Sequence, residues 1–85
     1  MAFISGLVLY YKPTCPYCHK VLAYMQDQDI ELEMRNTLEP GVIDDLVSLT
    51  GKTQVPCLVI NGEPMLESDD IIAYLHGLVA ANEIG

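Results

Sequence analysis

Two cysteines three positions apart, Cys15 and Cys18, are the residues of this chain best suited to chemistry. A Cys-x-x-Cys pair forms either a redox couple or half of a metal site. In a redox couple, one thiolate attacks a disulfide and the second thiol resolves the mixed disulfide that results. The elements on either side of the pair determine which of these chemistries it carries.

The pair lies between a predicted strand and a predicted helix. Leu7–Tyr11 is a continuous apolar run bounded by Gly6 and Pro13, which is typical of a buried strand. Pro16 suits the first turn of a helix, where its missing N–H group does no harm. Residues with helical spacing then form one face, which comprises Cys18, Val21, Leu22 and Met25. We expect this helix to end near Asp27–Asp29.

The start of this helix favours a thiolate at Cys15. The first backbone N–H groups of a helix lack partners within the helix, and its N-terminus carries a partial positive charge. Lys12 adds a second positive group three residues upstream. We predict that Cys15 is the nucleophile and that Cys18, one turn further and facing inward, is the resolving thiol.

Two other interpretations of the pair stay open. Buried cysteines often only fill space in a core. A structural zinc ion needs four ligands, so Cys57 and either His19 or His76 would have to complete the site. We expect no metal, because His19 directly follows Cys18 and helical geometry directs it elsewhere. A surface position is expected for both histidines.

The remainder of the chain alternates between strand and helix patterns. Predicted strands occupy Ile30–Arg35, Cys57–Ile60 and Pro64–Leu66, with an Asn61-Gly62 turn between the last two. The order β-α-β-α-β-β-α predicts one α/β domain over residues 1–85. It is expected to hold a four-stranded mixed sheet with helices on both faces.

Two further helices complete the predicted fold. The second begins at Glu39-Pro40-Gly41 and ends at Thr50-Gly51. The third is expected to be capped by Ser68, with acidic side chains in its first turn. The predicted inner face of the second helix comprises Val42, Leu46 and Leu49. The predicted buried stripe of the third comprises Ile71, Ile72, Leu75, Leu78 and Val79.

Composition and charge exclude several function classes. The 85 residues include 12 acidic and 4 basic side chains, for a net charge of −8. That charge repels nucleic acids and anionic membranes. No apolar run approaches the roughly 20 residues that span a bilayer, and Met1–Gly6 does not resemble a signal peptide. We therefore expect a cytoplasmic monomer with no nucleic-acid or membrane partner.

Two segments resemble the dithiol glutaredoxins, which have the thioredoxin-like fold. Cys15-Pro16-Tyr17-Cys18-His19 contains their Cys-Pro-Tyr-Cys site, and Thr53-Gln54-Val55-Pro56 is similar to their Thr-Val-Pro segment, with Gln54 as a departure. The resemblance implies a cis Val55–Pro56 bond and pairing of the Val55 backbone with the cysteinyl part of glutathione. It further implies that Lys12 attracts the glycyl carboxylate, that Tyr17 packs against glutathione and that Gln54 faces the same groove.

The segment Glu67-Ser68-Asp69-Asp70 carries the last part of the resemblance. It implies that Ser68 and nearby N–H groups hold the γ-glutamyl carboxylate and that Asp69 holds the γ-glutamyl ammonium. The Gly-Gly bend that precedes this helix in many glutaredoxins is missing. Here the chain instead resembles the N-terminal domain of glutathione transferases. Because 85 residues leave no room for their second domain, we do not expect a stand-alone transferase.

The resemblance implies a glutathione-dependent thiol–disulfide oxidoreductase with catalytic Cys15 and Cys18. Glutathione would be a co-substrate, with no tightly bound cofactor, and the partners would be glutathionylated or disulfide-containing proteins. One alternative is an electron donor that thioredoxin reductase reduces. Another is a carrier that binds an iron–sulfur cluster between two subunits through Cys15 and glutathione. Cys57 has no clear role in this family and is expected to be buried.

Overall fold

A four-stranded sheet organises the chain in the computed structural model, which describes residues 2–84. The strands are β1 (Ala2–Tyr11), β2 (Ile30–Asn36), β3 (Cys57–Ile60) and β4 (Glu63–Met65), and the helices are α1 (Pro16–Asp27), α2 (Val42–Thr50) and α3 (Ser68–Ile84). The predicted order of elements is confirmed.

The sheet is mixed, with strand order β2-β1-β3-β4. Strand β1 pairs in parallel with β2 and antiparallel with β3, and β4 pairs antiparallel with β3. Strand β1 is therefore central and ends at the turn that carries Cys15. The α/β class, the mixed sheet and the thioredoxin-like arrangement are confirmed.

Successive side chains of β1 and β3 point to opposite faces of the sheet, so the protein has one core on each face. On one face, Leu7 and Leu9 pack with Leu58 and with the buried faces of α1 and α3. On the other face, Tyr10 and Cys57 pack with α2. The first core comprises Leu7, Leu9, Val21, Met25, Ile30, Leu32, Leu58, Ile71 and Leu75. Helices therefore cover both faces of the sheet, as predicted, and hold the end of β1 between them.

Strand β1 begins earlier than its predicted start at Leu7. Ala2 and Phe3 pair with Ile30 and Glu31, and the register shifts between Phe3 and Val8. Gly6 lies inside this irregularity with φ of 86°, a backbone conformation that glycine adopts without steric cost. The apolar pattern could not predict this extension, because the shift interrupts the alternation of the strand.

The prediction that Leu49 lies on the inner face of α2 is wrong. The buried residues of this helix are Val42 and Leu46, whereas Leu49 is 38% exposed. The smaller core includes Leu46 but does not extend to Leu49, which lies in the last turn before Gly51. A short helix on a small core buries only the residues at its point of contact.

Smaller corrections concern the last strand and helix. Strand β4 covers Glu63–Met65 rather than Pro64–Leu66. Ser68 is the first helical residue of α3 rather than its cap, because the Glu67 carbonyl already accepts the N–H of Ile71 at 2.9 Å. In the predicted stripe of α3, Ile71 and Leu75 are buried and the other three members are half-buried.

Within residues 2–84, no helix combines the length and the apolar character that crossing a membrane requires.

Truncating the buried leucine of α2 tests this packing. We expect Leu46→Ala to lower the free energy of unfolding by about 2–5 kcal/mol, because it leaves a cavity under a fully buried side chain. The matched control Leu49→Ala should cost about 1 kcal/mol or less. Urea unfolding followed by circular dichroism measures both, and equal losses would contradict the assignment of the inner face.

Candidate active site

Cys15 lies at the junction between β1 and α1, as predicted. It is the N-cap residue of α1, in an extended conformation with φ of −88° and ψ of 122°, and Pro16 follows within the first turn. The Cys15 N–H donates to the Lys12 carbonyl at 3.0 Å, and its own carbonyl accepts the N–H of His19 at 3.0 Å. These bonds hold a partly exposed sulfur at the helix start.

The surroundings of Cys15 favour its thiolate. Partial burial acts to raise the pKa of Cys15, but hydrogen bonds from the Cys18 N–H, the Cys18 thiol and the Tyr17 N–H lower it. The positive charge of Lys12 acts in the same direction. The net effect holds the pKa of Cys15 below that of an ordinary cysteine. Cys15 therefore combines access to solvent with a thiol that ionises more readily than that of an ordinary cysteine.

Cys18 has the opposite environment. Its side chain is fully buried, as predicted, and its sulfur accepts the backbone N–H of Lys12 at 3.4 Å. Burial, together with the adjacent Cys15, raises the pKa of Cys18 to about 11 against the opposing effect of the hydrogen bond from the Lys12 N–H. Cys18 is therefore a protonated thiol at neutral pH while Cys15 is reduced.

The segment before β3 approaches the reactive sulfur from a second side. The Cys15 thiol lies 3.9 Å from the Val55 carbonyl, toward which its S–H points. The Val55–Pro56 bond is cis, as the resemblance implied, and Pro56 is fully buried. Val55 thereby places a backbone carbonyl next to the thiol of a residue 40 positions away in the chain.

A groove of about 320 Å³ extends from this point to the start of α3. Its walls come from α1, the Val55 segment and the turn between β4 and α3. The residues that line it are Tyr17, Lys20, Gln54, Val55, Pro56, Leu66, Glu67, Ser68 and Asp69. Six of the predicted binding residues are thus brought together in one groove beside the two cysteines. Lys12 does not line it and lies instead in the turn that holds the thiols.

Polar contacts define the far end of the groove. The Gln54 side-chain amide donates to the Leu66 carbonyl at 3.4 Å, linking the Val55 segment to the turn before α3. Ser68 is half-buried, and the exposed Asp69 accepts a hydrogen bond from the ammonium of Lys20. This end of the groove therefore presents a hydroxyl, a carboxylate and an ammonium close together.

Sequence reasoning missed Lys20, Leu66 and Glu67 as lining residues. One signal for Lys20 was available, because Tyr17 and Lys20 are three residues apart on a helix and share a face. Leu66 and Glu67 belong to the turn that replaces the Gly-Gly bend, so their placement depends on tertiary structure alone.

The other candidate ligands lie outside this site. Cys57 is fully buried, as expected, and burial raises the pKa of its thiol despite a hydrogen bond from the Met65 N–H. His19 is exposed and donates to the Pro13 carbonyl, and His76 Nδ1 lies 3.3 Å from the Tyr24 hydroxyl. Across residues 3–80, whose side chains the structure describes, no three histidine, cysteine or acidic side chains are grouped in a way that could hold a metal ion.

Comparison with known proteins gives two related groups. Residues 9–83 match the profile of the glutathione S-transferase N-terminal domain. Glutaredoxin 3 of Escherichia coli K12 is 25% identical over 71 residues, which is 82% of this chain and 86% of that protein. The matched residues 9–83 include both cysteines and every residue that lines the groove.

Solved structures show the same two groups. A glutathione S-transferase from the Antarctic clam Laternula elliptica superposes with a TM-score of 0.72 at 23% identity, over 89% of this chain. The chain spans 36% of that transferase. The buckwheat glutaredoxin–glutathione complex superposes with a TM-score of 0.66 at 20% identity, over 89% of this chain and 74% of that one. At these identities the superpositions show a shared fold.

The lowered pKa of Cys15 predicts a specific pattern of alkylation. Iodoacetamide should modify Cys15 with a pH midpoint below the value of about 8.5 for a free cysteine, because the rate follows the thiolate fraction. Reactivity should persist at neutral pH and disappear as the pH falls through the midpoint. Cys18 and Cys57 should react slowly in the folded protein, because both are buried. Peptide mapping by mass spectrometry measures each site separately.

Lys12→Gln should move the Cys15 midpoint upward, because it removes a positive charge that favours the thiolate. Lys52→Gln is the matched control, since Lys52 is exposed and contributes nothing to the shift at Cys15. An ordinary midpoint in the unaltered protein would contradict the proposed electrostatics.

Proposed function

The chain belongs to the family of glutathione S-transferase N-terminal domains, and we propose that it acts as a glutathione-dependent thiol–disulfide oxidoreductase of the glutaredoxin type. One observation carries this proposal. A partly exposed cysteine with a lowered pKa, Cys15, lies directly beside the buried thiol of Cys18 and a groove that ends at the start of α3. The similarity to Glutaredoxin 3 supports the same chemistry.

In the proposed first step, the Cys15 thiolate attacks the glutathionyl sulfur of a protein–glutathione mixed disulfide. The bond between Cys15 and glutathione forms as the original disulfide breaks, and the target protein leaves as a thiolate that takes a proton from solvent. A second glutathione thiolate then attacks this adduct, releases oxidised glutathione and restores the Cys15 thiolate. The net reaction converts the mixed disulfide and one glutathione thiol into a protein thiol and oxidised glutathione, so one disulfide bond is exchanged for another.

For a protein disulfide, Cys18 takes the place of the second glutathione. Attack by Cys15 leaves a mixed disulfide with the target, which removes the Cys15 negative charge that opposes ionisation of Cys18. The Cys18 thiol can then lose its proton and attack the Cys15 sulfur. The target leaves with both of its thiols reduced, and a Cys15–Cys18 disulfide remains for glutathione to reduce.

The groove supplies a binding surface for glutathione in this proposal. The Val55 backbone would pair with the cysteinyl part like an added strand, next to the sulfur that reacts. Ser68 and the N–H groups at the start of α3 would hold the γ-glutamyl carboxylate. Tyr17 and Gln54 would contact the sides of the bound glutathione. Lys12 would attract the glycyl carboxylate from the turn beside the thiols. We propose that the protein works as a monomer in the reducing cytoplasm.

The family membership favours a second candidate, the glutathione-binding part of a transferase. In that function the sulfur of bound glutathione would be the nucleophile toward an electrophile. The reactive Cys15 weighs against this function, because it occupies the position next to Val55 with a nucleophile of its own. Conjugation of glutathione to 1-chloro-2,4-dinitrobenzene tests the candidate directly, and we expect no activity above the uncatalysed rate.

Turnover of a glutathione mixed disulfide tests the proposed function. With glutathione, glutathione reductase and NADPH as the only electron source, the unaltered protein should reduce the mixed disulfide of glutathione and 2-mercaptoethanol. Cys15→Ser should abolish turnover because it removes the attacking thiolate. Cys18→Ser should retain turnover of this substrate but lose reduction of protein disulfides, because only the second reaction needs a resolving thiol. Consumption of NADPH measures both.

Cys57→Ser serves as the matched control, because Cys57 is a third cysteine that the mechanism does not use. It should retain both reactions. Equal loss in Cys15→Ser and Cys18→Ser would contradict the division of roles. Turnover with thioredoxin reductase but not with glutathione would favour the electron donor instead. Visible absorption and a dimer after anaerobic reconstitution with iron and sulfide would favour the cluster carrier.

A further inference from the structure

Leu38 is an exposed apolar side chain at the edge of the sheet where the Cys15 turn lies. Among the side chains that the structure describes, the large apolar ones that are at least 61% exposed are Phe3, Tyr17 and Leu38. Tyr17 belongs to the wall of the groove, and Phe3 lies near the start of β1, at the opposite end of that strand. Single exposed apolar residues are ordinary on protein surfaces, so a role for Leu38 has to follow from its position.

The strand order places the Cys15 turn between two segments. Strand β3 runs antiparallel to β1, and its start pairs with the end of β1. Strand β2 runs parallel to β1 on the other side, and the ends of these two strands pair with each other. The Val55 segment, which precedes β3, therefore lies on one side of the Cys15 turn. Residues 37–41, which follow β2, lie on the other side.

Hydrogen bonds fix the backbone on both sides of Leu38. The Thr37 N–H donates to the Tyr11 carbonyl at the end of β1 at 2.9 Å. The Asn36 side-chain oxygen accepts the N–H of Leu38 at 2.9 Å, and its backbone carbonyl accepts the N–H of Glu39 at 3.0 Å. The turn is thus tied to β1 and presents Leu38 on ordered backbone. A partner that contacts Leu38 does not have to order a loose loop first.

The proposed reaction leaves one side of Cys15 for the target protein. The target is joined through its own sulfur to the glutathionyl sulfur that Cys15 attacks, so its polypeptide must approach this edge of the sheet. The glutathionyl part occupies the groove on the Val55 side in the proposed function. The side that remains is that of residues 37–41, where Leu38 is exposed.

We propose that Leu38 contacts the target protein and selects targets that have an apolar residue next to the glutathionylated cysteine. The inference rests on the proposed function and names the substrate class of the same site. An apolar side chain of the target that covers Leu38 removes area of both from water, which a polar side chain at that position does not do as favourably. A small mixed disulfide without a neighbouring side chain cannot make this contact.

A contact between two copies of this chain would be another use of Leu38. The net charge of −8 on each copy opposes their close approach. In a two-fold contact through Leu38, the exposed Glu39 carboxylates of both copies would also come together. The charges therefore favour a different protein as the partner.

Deglutathionylation of matched peptides tests the inference. Two glutathionylated peptides are identical except for Leu or Ser directly after the cysteine, and glutathione, glutathione reductase and NADPH supply the electrons. The unaltered protein should prefer the Leu peptide by about threefold to tenfold in kcat/KM. Leu38→Ser should remove this preference by lowering kcat/KM for the Leu peptide alone. Turnover of the mixed disulfide of glutathione and 2-mercaptoethanol should stay unchanged.

Phe3→Ser is the matched control. Phe3 is 65% exposed against 61% for Leu38, so both variants remove a similar exposed apolar side chain and should fold normally. At about 3.3 Å per residue, Phe3 lies roughly 25 Å along β1 from the end of the strand. It should therefore retain the preference for the Leu peptide.

The outcomes separate the inference from the proposed function. Equal kcat/KM for the two peptides in the unaltered protein, or a preference that persists in Leu38→Ser, would overturn the role of Leu38 while turnover of the small mixed disulfide keeps the proposed function. A dimer that Leu38→Ser dissociates, with the peptide preference retained, would assign Leu38 to a contact between copies and also overturn the inference. No turnover of the small mixed disulfide would overturn the proposed function itself.

Discussion

The position of Cys15 at the start of α1 is the constraint on which the rest of the site depends, because the N–H groups of Tyr17 and Cys18 there act to lower the pKa of its thiol. This position exists because β1 ends where α1 begins, so the first turn of the helix, whose N–H groups lack partners within the helix, lies beside the Cys15 side chain. The two cores hold β1 and α1 in this relation, one against each face of the sheet. The packing of both cores thus determines where the Cys15 sulfur lies.

The same geometry makes two chemically identical side chains behave differently. Cys15 remains partly exposed and receives donors, whereas Cys18 turns into the core and has its pKa raised to about 11. In the proposed cycle the pKa of Cys18 falls once Cys15 forms a disulfide, because the disulfide removes the negative charge of Cys15 that helps to keep Cys18 protonated. Attack and resolution can therefore follow in order.

Local signals predicted the order of elements and the position of Cys15 at the junction of β1 and α1. The motif around Cys15 and the helix after Pro16 are each encoded in a few adjacent residues, whereas the cis bond before Pro56 was implied by the resemblance to the glutaredoxins. The parts that could not be predicted depend on contacts between distant segments. Leu66 and Glu67 line the groove because the turn before α3 lies against the Val55 segment, and the exposure of Leu49 depends on where the smaller core ends.

The central claim is that Cys15 and the groove form one site, in which glutathione joined to the sulfur lies along Val55 toward the start of α3. Nuclear magnetic resonance on the Cys18→Ser variant tests this claim most directly, by comparing its disulfide with glutathione and its disulfide with 2-mercaptoethanol. The account predicts that the backbone amide signals that differ between the two adducts cluster at Val55, Ser68 and Asp69. Differences confined to the immediate neighbours of Cys15 would contradict it.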